Sequence, residues 1–404
     1  VSDWLRVLRE NPGFARLWFA EAVSLVGDWC SVVAISVLAV QQGGGNGALA
    51  VGLTLAAHEL PMALMRPIAG VLADRFDRRN LLIGMHIAQT LLTALMVERA
   101  IAGDVPALQV LVWCRSTIGG LDWPARAGAI RRLVPQEDAL AAHALGGATW
   151  SAMYAVGMGL GGLLATVGVP FALALDAGTF LLGAALIATL PAMPTRGTGD
   201  VTLSRAVQAA RADLSEAARM AWADPALLRA VCSKTPLALA GGAGVVLLNL
   251  IARDVPFAGA TATTLGALQA ARGVGTGVGP LIAARLGGSL AVWQASAWVS
   301  FAAIALLILP LPGTILLAVT FVWGCGTGAN WMMSSASLQQ QAPDATLGRL
   351  SGLDMLLVES SFAASAVLAG LLVEQIDDRS ATVWVGVALG VASWLAVRAA
   401  TRPA

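Results

Sequence analysis

Apolar runs recur along the whole of this chain, and short charged segments separate them. Runs near 14–41, 49–73, 80–101, 106–130, 141–166, 169–190, 226–252, 260–284, 289–309, 312–335, 350–373 and 381–400 approach or exceed the roughly 20 residues a helix needs to cross a bilayer. Of the 404 residues, 57% are hydrophobic and only 12% charged, against roughly a quarter charged in a soluble domain. An ordinary soluble fold is excluded. The pattern predicts an all-α polytopic membrane protein with twelve transmembrane helices. No apolar run with a cleavage site precedes the first span, so no signal peptide is expected.

The charges are distributed unevenly. With the N-terminus inside, eighteen arginines fall on the inner segments, while the opposite face holds only Arg99, Arg253 and Arg379. This bias follows the positive-inside rule and predicts that both termini are cytoplasmic. The longest polar stretch divides six runs from six. It gives an N-terminal bundle over 1–191, a cytoplasmic linker over 192–225 and a C-terminal bundle over 226–404. Within the linker Leu203, Val207, Ala210, Leu214, Ala217 and Ala221 recur at helical spacing. That spacing fits either an amphipathic helix on the inner leaflet or a solvated linker helix. A weak repeat supports the halving: GVLADR from Gly70 is echoed by PLIAAR from Pro280, and the segment around Pro135 by that around Pro343, at nearly equal offsets. The second copy carries Ala284 where the first has Asp74.

The segment Gly70–Arg79, GVLADRFDRR, puts Asp74, Arg75, Asp77, Arg78 and Arg79 into the turn between the second and third runs. So tight a charged hairpin belongs at the water interface. The pattern Gly-x-Leu-Ala-Asp-Arg-x-x-Arg-Arg resembles the loop between the second and third spans of major facilitator superfamily transporters. LVWCRSTIGG resembles that family's Leu-x-x-x-Arg-x-x-Gln-Gly motif, with Arg115 and Gly119 in place and Ile118 where glutamine is usual. Three further segments are NPGFARLWFAEAVSLVGDW at the start, WPARAGAIRRLVPQEDALAAHAL after the fourth run, and LDAGTFLL in the sixth. They narrow the resemblance to the branch containing macrolide-type drug exporters and the enterobactin exporter. The resemblance implies two pseudo-symmetric six-helix bundles and transport by alternating access. It also implies a gating motif of Gly70, Asp74, Arg75, Arg78 and Arg79. Gly70 would let the second span approach a neighbour closely. Asp74 would face the positive start of the eleventh span and close the cytoplasmic side. The arginines would pair with acidic groups or lipid phosphates, or serve as topological anchors.

Ionisable groups at the middle of a span cost at least ~2.5–3.5 kcal/mol each by insertion scales, so each one asks for a reason. Glu21 and Asp28 lie on one face of the first span, and His58 and Glu59 near mid-depth in the second. Arg115 and Asp122 share a face of the fourth, with Arg126 one turn beyond. Lys234, the sole lysine, falls in the second half with Arg272, Asp354 and Glu359. A proton-coupled transporter needs a carboxylate that takes and yields a proton between two conformations. Asp28 or Glu59 beside Arg115 would supply it, and the resemblance assigns the fourth-span arginine to proton coupling. The candidate coupling set is Glu21, Asp28, Glu59, Arg115 and Asp122. The alternative is permanent ion pairs, which break even at best in apolar surroundings. His58 either carries a proton near neutral pH or packs through hydrogen bonds. Candidates for a substrate cavity are His58, Asn249, Arg272, Asn330, Asp354 and Glu359. Arg272, Asp354 and Glu359 could equally neutralise one another. Trp331 either orients a substrate or anchors a span end.

GMGLGG from Gly157 and GVGTGVG from Gly273 follow no strand and lack the Gly-Lys-Ser/Thr of a phosphate loop, so they read as close-packing faces. Cys30, Cys114, Cys232 and Cys325 lie in apolar runs without CxxC spacing, which argues against disulfides and metal sites. Without a nucleophile–base set the chain is not expected to be an enzyme, and no cofactor, metal or nucleic acid is expected. The expected protein is a monomer in the bacterial inner membrane, in contact with lipids. It exports a small amphipathic molecule, a drug or siderophore, in exchange for protons. The alternatives are a lysophospholipid-like substrate, uptake, or, from a different class, a membrane-embedded sensor or enzyme.

Overall fold

The computed structural model describes residues 2–42, 47–73, 76–194, 203–376 and 379–401, and among these the regular structure is helical with no strand. In hydrocarbon each backbone N–H and C=O must be satisfied within its own segment, so apolar runs of this length become helices. A short α1 (Ser2–Glu10) precedes α2 (Pro12–Gln42), α3 (Gly47–Ala73), α4 (Arg78–Ile101), α5 (Val105–Gly119), α6 (Asp122–Leu133), α7 (Ala139–Val167) and α8 (Val169–Ala188). The polar α9 (Leu203–Ala223) leads into α10 (Pro225–Cys232), α11 (Thr235–Asp254), α12 (Thr261–Arg285), α13 (Leu290–Leu306), α14 (Gly313–Gln341), α15 (Asp344–Ile376) and α16 (Arg379–Ala400). Among the described residues, nine helices are long and apolar enough to cross a membrane. The turns carry their own signals. Asp77, Asp104, Asp224 and Ser289 cap α4, α5, α10 and α13, and Gly168 turns α7 into α8 at a φ of 152°.

Two runs expected as single helices are broken. The fourth divides at Gly120–Leu121, where Pro124 has no N–H to offer the carbonyl four residues back. Gly120 there presses α3, since a Cβ would lie 2.7 Å from Met65 Cβ. As a result Arg115 and Asp122 lie on separate helices, which corrects the expectation that they share one helix face. The seventh run divides at Ser233–Lys234, ahead of Pro236 in the first turn of α11.

Helices α2 to α8 pack on one another, and α10 to α16 do the same. The main crossings between these sets are α3 against α15 and α7 against α12. Glycines set how closely the backbones approach. On α12 and α14 two small-xxx-small pairs interlock: a Cβ at Gly275, Gly279, Gly324 or Gly328 would run into the carbonyl of Phe321, Cys325, Arg272 or Thr276 respectively. In the first glycine-rich run, Gly157 and Gly161 press on α2 and Gly162 on α12.

The crossings are unequal along their length. The face carrying α1 and the end of α16 is termed the terminal face, and its opposite the distal face. Near the distal face Gly52 meets the Ala366 carbonyl, Gly370 would place a Cβ 2.6 Å from Leu49 Cα, and Gly162 one 2.8 Å from Gly266 Cα. Near the terminal face Gly348 and Gly352 on α15 and Gly146 and Gly147 on α7 have nothing within 4 Å of a Cβ position. Cys30–Val40, the distal part of α2, is buried throughout, whereas its terminal part alternates between buried and half-exposed. The helix sets meet at the distal face and part toward the terminal one.

The helix expected to float on the leaflet or in water is docked on protein. Ala206, Ala210, Ala217 and Ala221 of α9 are buried, and Arg349 of α15 pairs with Asp213 at 2.9 Å and Glu216 at 2.6 Å. Small alanines let it lie close, and the larger Val207 stays exposed.

Gly279→Val or Gly324→Val forces α12 from α14 and is expected to cost about 1–3 kcal/mol. Gly84→Val, at a site with nothing within 4 Å, is the matched control. Melting of the detergent-purified variants checks this: the first two melt earlier than wild type and the third does not.

Candidate functional site

The central feature is a guanidinium held between two carboxylates at mid-depth. Arg115 of α5 places Nη2 2.7 Å from Asp28 Oδ1 on α2 and Nη1 2.6 Å from Asp176 Oδ2 on α8. Ser31, one turn from Asp28, donates its hydroxyl to the same Asp176 oxygen, and Thr179 approaches the other at 3.3 Å. The two carboxylates are not equivalent. Asp176 has no exposed side-chain surface, whereas 27% of the Asp28 side chain is exposed. From the open side His58 brings Nε2 to 3.6 Å from Asp28 and Nδ1 to 3.3 Å from Glu59, itself 24% exposed. One guanidinium and one imidazole therefore serve three carboxylates, two of which reach the open space. Trp29 packs its ring 5.8 Å from His58 and edge-on to Trp150 and Tyr154.

Three further pairs surround this one. Arg126 on α6 binds Asp122 at 2.7 Å and Glu21 of α2 at 3.2 Å, both half-buried. Arg66 of α3 crosses to Glu359 of α15 at 2.6 Å, leaving Glu359 Oε2 buried without a partner. Lys234, at the break before α11, pairs with Asp354 and lies 4.7 Å from the Trp331 ring. Arg272 is different. It lies 4.7 Å over Trp323 and 5.4 Å over Tyr154 and donates to the Tyr154 hydroxyl, and among the described residues no carboxylate pairs with it. Arg272, Asp354 and Glu359 thus do not neutralise one another: each carboxylate has another cation closer to hand. Asn249 and Asn330 are fully buried. Asn249 donates to Val245 O at 2.9 Å, and neither amide atom of Asn330 has a hydrogen-bond partner.

Of the expected gating motif, Gly70 lies near the end of α3, while Asp74 and Arg75 fall outside the described residues. Arg79 donates to the Ala188 carbonyl, Arg16 to Thr189 O at 2.9 Å and Arg132 to Pro194 O at 2.7 Å. Asp77 accepts from Met193 N at 2.7 Å, and the Arg78 N–H donates to Met193 O at 3.2 Å. Arg79 and Arg16 thus meet the last carbonyls of α8, which carry partial negative charge, while Arg132, Asp77 and the Arg78 N–H hold the segment that follows. Arg79 therefore binds a helix end rather than an acidic side chain.

Sequence reading missed Asp176 and Arg66. Each is the charged residue of its own stretch of apolar run, and that was the available signal. The segment LDAGTFLL carries, beside its family likeness, the carboxylate of Asp176 inside an apolar run.

Long apolar helices around paired charges, with α3 crossing α15 and α7 crossing α12, are the architecture of a major facilitator superfamily fold. The chain belongs to the family described as transmembrane secretion effector, which matches residues 7–404. The MFS-type transporter YfiS of Bacillus subtilis (strain 168) is 27% identical over 186 residues, 46% of this chain and 44% of that protein. The alignments with it and with YkuC of the same organism thus span less than half of those relatives. The enterobactin exporter EntS of Citrobacter koseri is 26% identical over 363 residues, covering 86% of this chain and 82% of that one. Among solved structures the nucleoside transporter NupG superposes with a TM-score of 0.70 at 15% identity, covering 97% of this chain and 100% of NupG. A bacterial homologue of the lysosomal transporter Spinster, in an inward-facing and unoccupied conformation, superposes at 0.67 and 15%, covering 96% of each chain. At such identity these structures share the fold alone.

Removing one member of a buried pair leaves an uncompensated charge, which costs about 3–5 kcal/mol. Asp176→Ala is therefore expected to melt well below wild type in detergent. Asp28→Ala, at a partly exposed position, is expected to lose less, and the order of the two melting temperatures is the check.

Proposed function

We propose that this chain is a proton-coupled exporter of a small amphipathic compound, working by alternating access across a bacterial inner membrane. It would have twelve spans in two six-helix units, residues 1–191 and 226–404, joined by the 192–225 linker, with both termini cytoplasmic. The arginine-rich terminal face supports that orientation, so the opening toward it would face the cytoplasm.

The observation that carries the reading is the sharing of Arg115 between buried Asp176 and accessible Asp28. Arg115 keeps its charge under all ordinary conditions. When Asp28 takes a proton through the open side, its attraction to Arg115 falls away, while Asp176 still holds the guanidinium. The network thus tolerates one proton more or fewer without stranding a buried charge, as a coupling site requires. Glu59 and His58 extend it toward the opening, and Glu21 and Asp122 around Arg126 form a second accessible set. Glu359 bonded to Arg66, Asp354 bonded to Lys234, and Arg272 border the meeting of the two units. Arg272, which has no carboxylate partner, favours a substrate with an anionic or π-rich group. Asn249 and Asn330 would join the cavity in a different conformation. Gly70, Asp74, Arg75, Arg78 and Arg79 would form the cytoplasmic gate, with Asp74 facing the positive start of the eleventh span. The alignment with EntS supports export, with siderophores and drugs as the first compounds to try.

Purified protein in liposomes tests this reading. An imposed pH gradient is expected to drive accumulation of a transported compound from a drug-and-siderophore panel, and dissipating the gradient to abolish it. Asp28→Asn is expected to reduce gradient-driven transport at least tenfold while leaving insertion intact. Asp74→Asn is expected to insert normally and transport poorly. Turnover that ignores the gradient, or wild-type rates in Asp28→Asn, would overturn the coupling.

A further inference from the structure

The crossing of α3 and α15 carries a directional bond at its distal end. The two helices run antiparallel there: Gly52 of α3 meets the Ala366 carbonyl, and one turn along α15 Gly370 packs on Leu49 and Ala48. One further turn places Glu374 on the same face, because residues four apart on a helix stack above one another. At that point the small residues of α15 give way to a carboxylate. The Leu49 N–H, in the first turn of α3, donates to Glu374 Oε1 at 3.1 Å. The first turn of a helix holds amides without intrahelical acceptors and carries partial positive charge. Glu374, half-buried, therefore caps α3 from the other helix set. The same turn is also held from its own set. Gln109 of α5 donates to the Ala50 carbonyl at 2.9 Å and to the Thr54 hydroxyl at 3.3 Å. If the sets part, the start of α3 stays with α5 and loses the acceptor that α15 supplies.

We infer that Glu374 is the latch of the distal face: its bond to the start of α3 ties the two helix sets together and weights the protein toward the state open at the terminal face. The inference rests on the alternating access of the proposed function, but not on proton coupling or on Asp28. The glycine contacts set only how closely the backbones come. The Glu374 bond adds a charged acceptor aimed at one amide, and such bonds are roughly twice as strong as neutral ones. It is also reversible by position. Glu374 lies within a turn of the end of α15 at Ile376, so parting the helices returns the carboxylate and the amide to water rather than stranding them. In the proposed cytoplasmic gate Asp74, just past the far end of α3, would face the start of α15. The two carboxylates would then be reciprocal, each at the end of one helix and on the start of the other, so that one bond forms as the other breaks.

Spin labels at Val167→Cys, the end of α7, and Leu309→Cys, beyond α13, test this in the full-length protein without native cysteines. Both positions are exposed on the distal face, one in each helix set, and double electron–electron resonance in nanodiscs reads the distance between them. Glu374→Ala is expected to raise the ratio of wide to narrow populations about tenfold, as loss of one hydrogen bond to a charged group does. Glu374→Asp keeps the charge but is one methylene too short to reach Leu49, and is expected to shift the ratio as alanine does. Glu374→Gln keeps an acceptor of the same reach and is expected to shift it less. Glu98→Ala removes an exposed carboxylate from the same face away from α3 and α15, and is expected to match wild type. Gly370→Leu, whose side chain cannot fit against Leu49, is the wedge expected to widen the pair whatever Glu374 does. Widening by the wedge, with Glu374→Ala and Glu374→Asp as narrow as wild type, would overturn the latch and leave alternating access standing. Earlier melting of Glu374→Ala with unchanged distances would mark an ordinary helix cap and overturn the latch as well. A pair that stays narrow even in the wedge would overturn both readings.

Discussion

Arg115 is the constraint on which the first helix set depends. A guanidinium at mid-depth cannot shed its charge and cannot reach water from where it stands, so the fold must deliver counter-charge to it. It does so from two helices: α2 supplies Asp28 and α8 supplies Asp176. Meeting these distances fixes where α2, α5 and α8 stand relative to one another. Gly27 of α2 fits against Asp176 and Thr179, where a Cβ would clash with both, so the backbone approach and the ion pair require each other. The pair is then asymmetric by position alone: one carboxylate is sealed behind packed helices and the other borders the opening. In the proposed cycle that asymmetry separates a permanent partner from an exchangeable one.

The second constraint is the uneven closeness of the crossing helices. Where α3 meets α15 and α7 meets α12 at the distal face, glycines bring the backbones into contact. Toward the terminal face the same helices part, and long side chains bridge what backbones no longer do. Arg66 and Glu359 join α3 to α15 in this way, whereas Arg272 bonds Tyr154 at a level where Gly273 of α12 still packs on the Ala155 backbone of α7. Side-chain bridges can exchange partners at lower cost than packed glycine backbones, because neither backbone need shift. The terminal side is thus the side held by contacts that can be rearranged.

The fold was largely legible in the sequence, because apolar run length and charge placement are direct demands of the bilayer. Helices formed where the runs predicted, and the glycine-rich stretches proved to be packing faces. Breaks within runs were less visible. Pro124 and Pro236 were present in the sequence, but whether a proline bends or divides a helix depends on the neighbours that satisfy the freed carbonyls. The site was legible as a set of charges but not as a set of pairs. Asp28 with Arg115 was foreseen from their shared half. Asp354 with Lys234, Glu359 with Arg66, and Arg272 between two aromatic rings were not, since pairing depends on which helix faces meet. Asp176 was overlooked although it is the most deeply buried carboxylate of the network. The docking of α9 was hidden for a related reason: an alanine face fits a close-packed protein surface as well as it fits a membrane, and periodicity alone does not distinguish them.

The central claim is that protonation at Asp28 is tied to the opening and closing of the terminal face. Spin labels at Leu140→Cys on α7 and Leu286→Cys beyond α12, both exposed on that face, report its width in a background without native cysteines. Distances between them, measured by double electron–electron resonance in lipid nanodiscs across a pH series, test the claim most directly. The account predicts that the wild-type distance distribution shifts between a wide and a narrow population as pH changes, and that Asp28→Asn holds one population throughout. A wild-type distribution that ignores pH, or an Asp28→Asn distribution that shifts as wild type does, would contradict it.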